Sequence, residues 1–234
     1  MYRSHCSHGY IIEVHKLTSG EGLLFRPIYE ELKSQLSSET CASAPCEMAV
    51  AAAASPLPCA DSAVSNEEIS VAIDTIVRMS GDKSMESKEE ATLMLYDISM
   101  HDALQQHLCS SEVMSFFVDV LQLDDYNLFE NLKHNVILTL ANLSESMVGQ
   151  TAILEAGALP FLFKLAGNGS FATVEMRRES ARILANMASK LVGRVNAFLC
   201  AEELESWMDG VDEIEDDRLR MHADRAKEAL TITA

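Results

Sequence analysis

From about Asn66 onward, apolar residues recur with the 3.6-residue period of amphipathic helices. Ile69, Ile73, Ile76 and Val77 make one stripe, Ser80 to Lys88 is a polar connector, and a second stripe passes through Leu93, Leu95 and Ile98. The pattern then predicts a short helix near Leu104 and Leu108, a second over Val113 to Leu121, and a third from near Phe129 to Leu143. It recurs as a short helix over Gln150 to Leu154, the turn Glu155-Ala156-Gly157-Ala158, a helix over Leu159 to Leu165, a Gly-Asn-Gly break at 167 to 169, and a long helix over Val174 to Met187. A last set comprises Val195 to Leu199, Leu204 to Met208, an acidic connector, and a helix near Leu219 to Leu230. Each unit reads as short helix, medium helix, connector, long helix.

The long helices align with one another. Asn135 to Ser144 (NVILTLANLS) matches Glu179 to Ala188 (ESARILANMA), Glu90 to Ser99 (EATLMLYDIS) and, more loosely, Asp224 to Thr233 (DRAKEALTIT), at spacings of 44 or 45 residues. A period of this length marks a solenoid, in which each unit buries its apolar face only against its neighbours. The predicted units are 66–100, 101–146, 147–190 and 191–234, so 66–234 forms one repeat domain. Residues 1–65 differ: they hold four of the five prolines and an Ala/Ser/Pro/Cys-rich stretch from Ser37 to Ser65. Without periodic apolar positions this stretch cannot offset the entropy of ordering, and it reads as a flexible linker. Before it, Pro27 opens a candidate short helix at 27–36 with Ile28, Leu32 and Leu36 on one stripe. That helix has three readings: a cap on the solenoid, a docking motif, or a segment without an ordered role.

Composition narrows the function classes. Apolar residues make up 48% of the chain and aromatics 6%, which favours an aliphatic, Ala-rich helical core over a β-sandwich. No apolar run approaches the roughly 18 residues of a membrane span, and the first residues lack a secretory pattern. The expectation is a soluble protein of the cytoplasm, the nucleus or both, with reduced thiols. Cys109 and Cys200 fall at equivalent repeat positions, as small core residues would. The net charge is −18, and Glu202 to Asp217 holds nine acidic residues without a Lys or Arg. That field disfavours nucleic acid and suits a basic partner, or else forms a solvated acidic face.

The segment Gly149 to Pro160 (GQTAILEAGALP), followed by Leu184-Ala185-Asn186-Met187 and preceded by Leu140-Ala141-Asn142-Leu143, resembles an armadillo repeat. The resemblance covers 66–234 and is strongest over 133–190. It implies an all-α, right-handed α-solenoid of about three and a half units, with a largely disordered N-terminal tail. Gly157 suits the sharp turn between the first two helices, where a Cβ would clash or require positive φ. Pro160 suits the first turn of the second helix. Leu140, Leu143, Leu184 and Met187 would fill the shared core, while Ala141, Ala181 and Ala185 would let helices approach closely.

The resemblance also implies a groove lined by the third helices, where an Asn on each can bond the backbone of an extended peptide. By register the candidate groove residues are Asp97, His134, Leu138, Asn142, Arg178, Arg182 and Asn186, with Thr231 a weaker match. An amide suits the task because it both donates and accepts. The alternative role for Asn142 and Asn186 is to cap or bridge between helices within the repeat. The importin-α group, within the same family, also carries a Trp four residues before this Asn. Leu93, Leu138 and Arg182 stand there instead, so recognition of nuclear-localisation signals does not carry over. Arg178 and Arg182 are expected to make part of the groove basic, and Trp207 aligns with the core position Leu162.

No catalytic constellation, phosphate loop or metal-ligand spacing is evident, so neither an enzyme nor a cofactor is expected. His5-Cys6-Ser7-His8 offers three potential ligands without a fourth partner at suitable spacing. The function expected is a scaffold or adaptor that binds a protein or peptide ligand along the groove. The alternatives are an Hsp70-type chaperone cofactor promoting nucleotide exchange, and a structural subunit of a larger assembly. The sequence stops within the third helix of its last unit, so self-association through that open repeat, a cap supplied by a partner, or an incomplete natural gene product is expected.

Overall fold

The structure, a computed structural model, describes residues 66–81, 84–123, 129–167, 172–198 and 216–231. Every regular element among them is helical. They are α1 (Asn66–Gly81), α2 (Met85–Ser99), α3 (Asp102–Gln105) continuing into a 3-10 turn (Gln106–Cys109), α4 (Ser111–Gln122), α5 (Glu130–Leu143), α6 (Met147–Glu155), α7 (Leu159–Ala166), α8 (Val174–Phe198) and α9 (Asp217–Thr231). The short, medium, long order predicted for the units is present as α3–α4–α5; in the next unit α6 (9 residues) and α7 (8 residues) are of similar length before the long α8. The predicted features of 1–65, the helix over Leu204 to Met208, Trp207, Cys200 and most of the acidic run lie outside the described residues.

Two layers result. The long helices α2, α5, α8 and α9 pack each on the next, while α1, the 3-10 turn, α4 and α6 form the second layer and α7 packs on α8. One contiguous core runs between them, from Ile73 and Ile76 through Leu95, Leu140, Leu143 and Ile153 to Leu162, Leu184, Met187 and Ala223. Ala141, Ala181 and Ala185 are at most 1% exposed, so helix backbones meet without an intervening side chain. Burying a Leu such as Leu140 contributes roughly 1.5–3 kcal/mol, shared between adjacent units.

The Gly157 turn has the geometry its sequence required. Gly157 takes φ +74° and its N–H bonds to Leu154 O at 3.1 Å, while the Ala158 N–H bonds to Ile153 O at 3.3 Å. This pair of bonds around a left-handed residue satisfies the last carbonyls of α6. Nothing lies within 4 Å of the position a Cβ would take, so positive φ alone selects glycine there. Pro160 occupies the first turn of α7. A feature absent from the sequence reading is Lys133, fully buried on α5, whose Nζ donates to the Leu123 carbonyl at the end of α4.

One predicted boundary is not a break. The helix expected to start at Val195 is continuous with the long helix before it, giving a 25-residue α8. Between α5 and α6 the chain does break, because Ser146 caps α6 by accepting from the Gly149 N–H at 3.0 Å. Taking Asn142 and Asn186 as equivalent, Ser146 corresponds to Lys190, which has no acceptor to offer. Without a cap the helix propagates.

Candidate protein-binding surface

Asp97 lies on α2, His134, Leu138 and Asn142 on α5, and Arg178, Arg182 and Asn186 on α8. All seven are partly exposed and belong to the long-helix layer. Their surroundings repeat from unit to unit. Asn142 Nδ2 donates to Ser99 Oγ at 2.9 Å, and Ser99 Oγ donates to Tyr96 O at 2.6 Å. One unit later Asn186 Nδ2 donates to Ser144 Oγ at 2.9 Å, and Ser144 Oγ donates to Ala141 O at 2.7 Å. The serine backbone is held as well: Gln105 Nε2 donates to Ser99 O at 3.0 Å and Gln150 Nε2 to Ser144 O at 2.8 Å. Both serines are fully buried.

Each Asn therefore bridges two units through one N–H and keeps Oδ1 and its second N–H on the surface side. The structural alternative for these residues holds in a modified form, since the bridge joins adjacent repeats. Two further rungs tie α5 to α2: Asn131 Nδ2 donates to Glu89 Oε1 at 2.8 Å and Asn135 Nδ2 to Thr92 Oγ1 at 3.3 Å. The serines and glutamines of these relays were missed in the sequence. Their signal was present, because Ser99/Ser144 and Gln105/Gln150 are identical residues in the same register.

The basic character expected of Arg178 and Arg182 needs correction, because both are neutralised locally. Arg178 pairs with Asp216 at 2.8 Å, and Arg182 with Glu145 at 2.9 Å and Glu179 at 2.6 Å. Asp216 also accepts the Leu219 N–H at 2.8 Å, which caps α9. The Arg178 guanidinium, aided by that N–H, holds the Asp216 carboxyl down at about 2. On the facing side of α9, His222 is partly buried with Nδ1 unpartnered. Burial pushes its pKa down, and Arg225, Arg182 and Arg178 push the same way against Glu179.

Tyr96 lies on α2 next to Asp97. Burial raises its hydroxyl pKa, as do Asp97 beside it and Glu179 two units along, while Arg182 opposes them. The candidate surface spans α2, α5 and α8. Its far end is a polar cavity of about 360 Å³ whose lining includes Gln150, Arg182, Asn186, Ser189, Lys190 and Arg225. On the other layer, a mostly apolar groove of about 770 Å³ runs between α4 and α6, with Met147 and Val148 exposed. Cys109 lines that groove and is only partly buried, so it is not the core residue its register suggested. Among the described residues no cluster of His, Cys, Asp or Glu is arranged to hold a metal, and no helix is long and apolar enough to cross a membrane.

No family model matches this sequence, and no curated protein matches it. Solved structures do. An engineered protein from the Northeast Structural Genomics Consortium matches with a TM-score of 0.58 at 22% identity, over 71% of this chain and 67% of that one. The designed armadillo repeat protein YIII(Dq)4CqI matches with a TM-score of 0.56 at 22% identity, over 70% and 69%. Another designed armadillo repeat protein, solved in complex with the peptide (KR)4, matches equally well over the same shares. At such identities the likeness establishes the fold: the chain is an armadillo-like helical repeat.

Proposed function

We propose that the chain is a protein–protein interaction scaffold that binds an extended segment of a partner along its long-helix row. The observation that carries this reading is the continuity of partly exposed Asp97, His134, Leu138, Asn142 and Asn186 across α2, α5 and α8. Exposed Leu93 adds apolar contact at one end. Asn142 and Asn186 each retain an acceptor and a donor, the pair needed to satisfy one peptide group whatever its side chain. Their bridging bonds fix the amides in place, so a ligand meets a pre-organised row and less entropy is lost on binding. A designed protein of the same fold was solved with a peptide bound, which supports the general mode.

The test is selection of binders from a random peptide display library, followed by fluorescence anisotropy on variants. Leu93→Glu/Leu138→Glu is expected to weaken the selected peptides by about tenfold or more, equivalent to about 1.4 kcal/mol. Val148→Glu, on the opposite layer, should leave them unchanged. Peptides that respond to Val148→Glu and ignore the paired row substitutions would move the binding surface to the α4–α6 groove.

A further inference from the structure

We infer that the long-helix row ends in a receptor for the acidic side chain of a bound peptide, built by Lys190 of α8 and Arg225 of α9 beside the ion-paired Arg182. This rests on the peptide-binding reading above and adds the chemistry of the ligand. The cavity lies where the Asn–Ser relay stops. Two residues beyond Asn186, where the relay has serine in the earlier units, stands Ala188, and the next asparagine position is Thr231. Among the described residues no third Asn–Ser rung is present. In its place are Ser189, Lys190 and Arg225, all exposed and all lining the cavity.

The charges here differ from those nearer the middle of the row. Arg182 is committed to Glu145 and Glu179, which holds its guanidinium in one position. Neither Lys190 nor Arg225 joins an ion pair among the described residues. Glu145 is the one acidic residue among those described in the lining, and Arg182 already pairs with it. The cavity is therefore locally cationic in a chain of net charge −18. At about 0.15 M salt the screening length is about 8 Å, so among the described residues an anion inside the cavity responds first to the cations that line it.

A free anion would satisfy only half of the lining. Gln150 is 1% exposed, spends Nε2 on the Ser144 carbonyl, and leaves Oε1 without a partner. Asn186 likewise spends one N–H on Ser144 and leaves Oδ1 for a donor. Acceptors together with cations call for a ligand carrying both N–H groups and negative charge. An extended peptide with a Glu or Asp side chain supplies both: its carboxylate goes to Lys190 and Arg225, and its backbone N–H groups face the amide oxygens. A cavity of about 360 Å³ accommodates one such residue with its flanking peptide groups.

The test uses the full chain and three fluorescein-labelled octapeptides, (Glu-Ser)4, (Gln-Ser)4 and (Lys-Ser)4, followed by anisotropy at about 0.15 M salt. The acidic peptide is expected to bind about tenfold or more tightly than the neutral one. Lys190→Glu/Arg225→Glu should abolish that preference and turn it toward (Lys-Ser)4, and thermal melts matching wild type establish that both sites remain folded. Equal binding of acidic and neutral peptides, or a preference that survives the double substitution, overturns the acidic receptor while leaving peptide binding intact. Failure of all three peptides to bind, with peptides from the display selection also failing, removes the peptide-binding reading and this inference with it.

Discussion

A methyl group on Gly149 would meet the Leu143 carbonyl oxygen at 2.0 Å and its carbon at 2.6 Å. These are backbone atoms at the end of α5, so α6 would have to move away from α5 to admit it. Gly157 is the opposite case, with open space around it and φ at +74°. We expect Gly149→Ala to cost about 1–3 kcal/mol or more through overpacking, and Gly157→Ala about 1–2 kcal/mol through left-handed strain alone. Gly157→Asn should recover part of that loss, because Asn enters the left-handed region more readily. Urea denaturation of the three variants checks the order; a Gly149→Ala protein as stable as wild type would contradict the close approach. Gly157 was legible in the sequence because it stands between a helix pattern and Pro160. Gly149 was not, since the pattern starts the short helix at Gln150 and a glycine just before it carries no sign of the Leu143 carbonyl that packs against it.

At the scale of elements, α8 and α9 are joined by charge as well as by packing. The low pKa of Asp216 means that its ionised form is favoured by folding. The stability it contributes is full above the ordinary carboxylate value and is lost as pH falls from there toward about 2. His222 acts over a higher window. Its pKa is depressed, so the folded state binds fewer protons than the unfolded chain once pH drops below about 6.5, and stability declines. Melting curves should show Asp216→Asn less stable than wild type at pH 6, with the difference closing between pH 4 and 2. His222→Gln should flatten the decline between pH 7 and 5. An unchanged slope for His222→Gln would mean that the ring is hydrated in solution. The helix order of α1 to α7 was readable because each turn carries its own signal. The unbroken α8 was not, since periodicity continues through Lys190 on either reading and only the missing cap decides it. Removing an existing cap makes the same point: Ser146→Ala should cost about 1 kcal/mol, measured by chemical denaturation.

Over the whole molecule, stability is a sum of units and of the contacts between neighbours. The apolar core supplies most of the interface, and its positions were evident because burial follows local periodicity. The polar half of the interface was hidden. Asn142–Ser99 and Asn186–Ser144 join residues 43 and 42 positions apart, and Arg178–Asp216 spans 38. Such pairs depend on how far each unit rotates against the last, which no single-unit pattern specifies. Arg178 and Arg182 therefore looked like free cations, although the stacked neighbours supply carboxylates to both. The Asn–Ser relay makes a prediction that distinguishes coupling between units from stability within them. Asn142→Ala leaves the Ser99 hydroxyl still donating to Tyr96 O, so little within α2 is lost. What is removed is one bond across the α2–α5 interface, a net contribution of about 0.5–1.5 kcal/mol. A double-mutant cycle of Asn142→Ala with Ser99→Ala should return a coupling energy of that size, whereas Asn142→Ala with Ser144→Ala, which breaks separate rungs, should return close to zero. Hydrogen exchange should follow the same geometry: faster opening in α2 and the facing part of α5, with α8 and α9 protected as in wild type. Acceleration spread evenly over all the long helices would show that the solenoid opens as one cooperative block, and that the relay stabilises the fold globally and does not couple neighbours.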